Sequence, residues 1–132
     1  GGTYGVYPMG QLVKYPVERA VLQIFFNTAP AKQEKLMKII YAEADAFAKN
    51  GPDEASLNKV KEYMLKKHTE DLKENSYWMG SIDEYLFTGM NPIKDYEQIV
   101  NSITAKDIQK FASDLFKQKN EIEVSMISPD KE

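Results

Sequence analysis

Arg19-Ala20-Val21-Leu22-Gln23-Ile24-Phe25-Phe26-Asn27 is dense in β-branched and aromatic residues. Ala20, Leu22, Ile24 and Phe26 fall on one face of an extended chain, and Val21 and Phe25 on the other, which predicts a central strand covered on both sides. Directly after Thr28-Ala29-Pro30 the period changes. Leu36, Ile40, Ala44 and Phe47 recur at helical spacing, and Gly51-Pro52 ends the pattern. A strand feeding at once into a long helix sets the frame for the rest of the chain.

Upstream, Thr3 to Tyr7 forms a shorter strand candidate, and Pro8, Gly10 and Pro16 predict a loop or irregular hairpin before Arg19. Downstream, Asp53 is placed to cap a second helix whose stripe is Leu57, Val60, Met64, His68 and Leu72, opposite a Lys/Glu face. Asn75 or Ser76 can cap a third helix with Trp78, Ile82, Tyr85 and Leu86 on its apolar side, broken by Thr88-Gly89 and Asn91-Pro92. A short helix is predicted from Ile93 to about Asn101. Thr104 with Asp107 resembles a capping box with the shorter acid, opening a helix with Ile108, Phe111, Ala112 and Leu115 inward. Glu121 to Ile127 alternates as a half-buried strand does, with Ile122, Val124 and Met126 against Glu123 and Ser125. Strands, several helices, then a strand is an α+β order: a small, mostly antiparallel sheet with helices packed on one face.

The 132 residues suit one domain. With 42% apolar and 28% charged residues, the composition is that of a globular protein rather than a disordered or fibrous one. The 17 basic and 20 acidic residues give a net charge of −3 and are interleaved, so no basic stripe points to nucleic acid. Cysteine is absent, which excludes disulfides, thiol nucleophiles and cysteine-based metal sites. No apolar run reaches the ~20 residues of a membrane-spanning helix. The start at Gly1 without Met predicts a fragment of a longer chain, and the compartment is left open.

No complete catalytic constellation is visible. A zinc hydrolase needs about three converging ligands, usually including two His, and this chain has only His68. On its helical stripe His68 reads more readily as a core histidine satisfied by a hydrogen bond than as a ligand or acid/base. The pairs Glu43/Asp45 and Asp83/Glu84 lie on predicted helices, where a solvated face explains them. The cluster Tyr77, Trp78 and Tyr85 could line a pocket, but its helical spacing favours core packing. The glycines around Tyr4 lack the preceding strand and the Lys-Ser/Thr ending of a phosphate loop. Tyr4 has two readings. It can pack, which composition favours, or its phenol can donate a hydrogen bond to a carbonyl oxygen that becomes negative during peptide hydrolysis.

Gly1-Gly2-Thr3-Tyr4-Gly5-Val6 resembles the glycine-tyrosine strand in the C-terminal half of pitrilysin/insulysin-type zinc peptidases. The resemblance continues through the Arg19 to Phe26 strand and Pro30, then Gly51-Pro52-Asp53-Glu54 with Leu57, Lys59 and Lys61, Asn75 with Trp78, Gly89, and Ile103-Thr104-Ala105-Lys106-Asp107-Ile108. It spans nearly the whole chain; each piece alone is weakly specific, and their order carries the match. It implies a multidomain peptidase whose homologous α+β halves enclose a chamber and cleave peptide substrates with zinc. The zinc motif of that family, an inverted His-x-x-Glu-His, has no counterpart here, so zinc is expected in another domain and this chain alone is expected to be inactive. By the same resemblance Tyr4 matches the tyrosine that binds substrate and stabilises the developing oxyanion. The family's accompanying arginine would precede Gly1, which leaves that pair incomplete. The alternative is a catalytically inactive partner or interaction scaffold of the same fold.

Overall fold

A computed structural model describes residues 3–127. Two antiparallel strands and five helices follow in the order β1 (Thr3–Val13), β2 (Arg19–Thr28), α1 (Pro30–Asn50), α2 (Glu54–Asp71), α3 (Asn75–Thr88), α4 (Tyr96–Ser102) and α5 (Ala105–Lys117). The fold is α+β with a small antiparallel sheet, as the element order predicts. The chain divides into two compact units, one of residues 1–49 and 112–132, the other of residues 50–111.

In the first unit, β1 is longer than its sequence suggests. It runs through Pro8, paired with Ile24, and Gly10, paired with Leu22, to Val13 opposite Arg19. A strand with one free edge tolerates a residue that has no N–H to donate. The predicted loop therefore shrinks to residues 14–18. β2 is not a central strand. Among the described residues it pairs with β1 alone, and Val21, Leu22, Ile24 and Phe25 are all exposed. Both faces carry the apolar residues expected of them, but two paired strands cannot supply the layers that would cover those faces.

The predicted strand Glu121 to Ile127 is also corrected: these residues adopt no regular structure. The Ser125 hydroxyl accepts a hydrogen bond from the Gln33 amide of α1, and Ile122, Val124 and Met126 are exposed. Alternation records that a segment could join a ladder; it does not create the neighbour that the ladder requires.

In the second unit several helix ends have identifiable causes. Gly51, at φ 72°, sits where an added Cβ would lie 3.0 Å from Gln109 Cβ and 3.1 Å from the Ala105 carbonyl oxygen. Both the left-handed backbone and the close approach to α5 require glycine. Asp53 caps α2 as predicted, accepting from Ser56 N at 2.8 Å and from the Ser56 hydroxyl at 2.7 Å. Neither Asn75 nor Ser76 caps α3; the cap position is Glu74, which makes no side-chain cap bond. α2 and α3 follow so closely that Trp78 instead ties the junction, donating its indole N–H to the Leu72 carbonyl at 2.8 Å. That satisfies an otherwise orphaned helix-end carbonyl.

Gly89 closes α3 at φ 74°, its N–H bonded to the Tyr85 carbonyl. α4 begins at Tyr96 rather than Ile93. The Asn91 side chain takes the N–H groups of Ile93 and Lys94 at 3.0 and 3.1 Å, and Asp95 is left-handed at φ 59°, so a turn precedes the helix. The capping box of α5 is formed in both directions: Thr104 N donates to Asp107 Oδ2 at 2.8 Å and Asp107 N donates to Thr104 Oγ1 at 3.2 Å.

Buried apolar side chains in this unit include Leu57 of α2 and Val100 of α4. Lys61 reinforces the α2 to α4 packing by donating to the Asn101 carbonyl at 3.0 Å. The predicted stripes are only partly inward. Val60, Trp78, Ile82, Tyr85, Leu86 and Phe111 are exposed, as is Phe47 of α1. Amphipathic spacing selects a face of a helix; how much of that face finds a neighbour is a tertiary matter.

Candidate functional site

Tyr4 occupies a distortion of the sheet. Thr3 pairs with Thr28 and Val6 with Phe26. β1 therefore advances three residues while β2 advances two, so Tyr4 and Gly5 together oppose Asn27. This is a β-bulge, which disrupts the ladder locally and re-aims a side chain. The Tyr4 side chain is fully exposed, at 103% of its reference area.

Thr3 organises the distortion. Its hydroxyl lies 2.7 Å from the Asn27 carbonyl and 2.9 Å from the Gly5 carbonyl, either of which can accept its proton. The same oxygen accepts from Gly5 N at 3.3 Å. A side chain thus supplies the contacts that the bulge takes from the backbone ladder. Gly5 leaves room for an aromatic neighbour, because an added Cβ would fall 2.8 Å from Tyr7 Oη and 2.9 Å from Tyr7 Cζ. Of the stretch that carries the family resemblance, Gly1 and Gly2 lie outside the described residues.

What this arrangement offers chemically is a phenol O–H on a defined backbone distortion, open to whatever approaches it. Such a group donates to an oxygen acceptor or accepts from an N–H. The bulge could not be read from composition, since it exists only relative to β2; Thr3 and Gly5 flanking Tyr4 were the available signal.

His68 lies in the other unit and is differently placed. It is 6% exposed, its Nδ1 lies 3.0 Å from Tyr77 Oη, and its ring stacks on Tyr96 with centroids 4.0 Å apart and an 18° interplanar angle. Tyr77 meets the imidazole edge-on, and burial raises the Tyr77 phenol above its ordinary pKa. This is the hydrogen-bonded core histidine that the sequence favours. Of the aromatic trio expected to pack, only Tyr77 joins this cluster; Trp78 and Tyr85 are exposed.

The neighbouring acids are engaged along α2, Asp71 with Lys67 and Glu70 with Lys66. Glu43, Asp45, Asp83 and Glu84 are exposed on their helices. Among the described residues no three His, Cys, Asp or Glu side chains converge as metal ligands. The one imidazole among the described residues is buried and already hydrogen-bonded to Tyr77. No described helix is long and apolar enough to cross a membrane.

No family model matches the sequence, and no curated protein does. Among solved structures the chain is similar to a protease from Helicobacter pylori, with a TM-score of 0.69 and 22% identity over 82% of this chain and 26% of that one. At that identity the likeness is one of fold. The chain thus shares the fold of a segment making up about a quarter of the length of that protease.

Proposed function

We propose that this chain is the substrate-contacting, chamber-forming C-terminal part of a zinc metalloendopeptidase of the pitrilysin/insulysin type, with zinc held by another domain of the parent protein. The observation that carries the reading is the exposed Tyr4 on its bulge, at the position where the family resemblance expects an oxyanion donor. The fold shared with a protease supports it.

The role of Tyr4 follows from the charge that peptide hydrolysis develops. As the scissile carbonyl becomes tetrahedral, its oxygen turns negative and becomes a stronger acceptor. A phenol already aimed at that oxygen binds the transition state more tightly than the ground state. The zinc ion, when bound by the other domain, supplies Lewis-acid polarisation; this chain contributes the donor and part of the wall that excludes water.

The test combines this chain with the zinc-binding half of its parent and follows chelator-sensitive peptide hydrolysis. Native Tyr4 should support turnover, and Tyr4→Phe should lower it about a hundredfold, as expected for loss of one oxyanion donor. Equal turnover for the two would remove Tyr4 from the mechanism. An assembled but metal-free and inert mixture would instead assign the chain to an inactive partner or scaffold.

A further inference from the structure

We infer that Thr3 is a positioning residue for Tyr4: its hydroxyl holds the bulge that presents the phenol to a substrate carbonyl. The inference rests on the proposed peptidase role of Tyr4, but the geometry behind it stands on the described residues alone. A bulge removes one ladder contact and leaves the extra residue without a cross-strand partner. Without a further contact, Asn27 would face two residues with neither held in register. Thr3 answers this with one side chain: its single hydroxyl proton goes to the Asn27 carbonyl across the strands or to the Gly5 carbonyl along its own, and its oxygen accepts from the Gly5 N–H. Those contacts bracket Tyr4 on either side, between residues 3 and 5. Tyr4 itself is fully exposed, so no packing against its ring fixes its direction, and the backbone that bears it must do so. An oxyanion donor tolerates little misplacement, because its contribution depends on a hydrogen-bond length.

Thr3→Val tests this directly. Valine keeps the branched shape and strand preference of threonine and puts a methyl in place of the hydroxyl, while Thr3→Ser keeps the hydroxyl. On this chain alone, with no substrate, amide hydrogen exchange at Gly5 should speed up about tenfold in Thr3→Val and stay within about twofold of native in Thr3→Ser. In the assembled peptidase, Thr3→Val should lower kcat about tenfold with little change in KM, and Thr3→Ser should restore it. In a Tyr4→Phe background Thr3→Val should add nothing, since a residue acting through the phenol has no effect once the phenol is gone.

Unchanged Gly5 exchange in Thr3→Val would overturn the clamp. An equal loss of turnover in the native and Tyr4→Phe backgrounds would overturn positioning and leave a general structural role. If Tyr4→Phe alone costs no turnover, the proposed function of Tyr4 fails and positioning fails with it, while the exchange result still decides whether Thr3 holds the bulge.

Discussion

The imidazole Nδ1 of His68 on α2 and the phenol of Tyr77 on α3 lie 3.0 Å apart, joining consecutive helices through a polar contact inside the second unit. The tautomer of His68 decides which group donates. Removing one partner would leave a buried nitrogen without its hydrogen bond, which costs about 1–3 kcal/mol. Tyr77→Phe should therefore lower the stability of the chain by that amount, read from urea unfolding midpoints at constant slope. A change below about 0.5 kcal/mol would mean that the stack on Tyr96 holds His68 unaided.

The same phenol sets a dependence at high pH. Burial raises the folded-state pKa of Tyr77, so its neutral form is favoured in the native chain. The associated stability is intact below the unfolded tyrosine value of about 10 and is lost as pH rises towards the folded value. Unfolding midpoints should fall across that window in the native chain, and the Tyr77 part of the fall should vanish in Tyr77→Phe.

Leu57 and Val60 occupy one predicted stripe of α2, yet only Leu57 is buried; Val60 is 54% exposed. Leu57→Ala should cost about 2–5 kcal/mol, and Val60→Ala less than about 1 kcal/mol. Similar losses at the two positions would contradict the observed packing.

Gly51→Ala forces a Cβ into a left-handed position and within 3.1 Å of the Ala105 carbonyl oxygen. The backbone conformation alone costs about 1–2 kcal/mol. Thermal unfolding should show at least that loss, whereas Gly80→Ala, where the new methyl meets nothing within 4 Å, should be neutral or stabilising.

The capping acids give an opposite dependence at low pH. Hydrogen bonds from the Ser56 side chain and backbone hold Asp53 below the usual carboxylate range, and those from Thr104 do the same for Asp107. Their stabilising effect is present above the unfolded carboxylate pKa of about 4 and fades as pH falls through the lowered folded values. The protection of the Ser56 amide, its exchange relative to that of the unfolded chain at the same pH, should fall with acid in the native chain. Asp53→Asn, which keeps an acceptor without a titratable group, should flatten that response.

Much of this molecule was legible in the residues because its determinants are local. The spacing of Leu36, Ile40 and Ala44, the Asp53 cap, the Thr104 and Asp107 box and the Gly89 stop each act within a few residues of chain, where backbone geometry and one side-chain bond settle the outcome. The burial of His68 was legible too, from its place on the apolar stripe. Tertiary structure decided what depends on partners distant in sequence. Whether Glu121 to Ile127 joins a sheet depends on a free neighbour, whether Trp78 packs or caps depends on the turn before α3, and whether Gly51 is required depends on α5. The bulge at Tyr4 belongs to this second class. An extra residue in a strand has no meaning until the register with β2 is set, so the sequence could nominate Tyr4, and only the pairing of Thr3 with Thr28 and of Val6 with Phe26 placed it on the distortion.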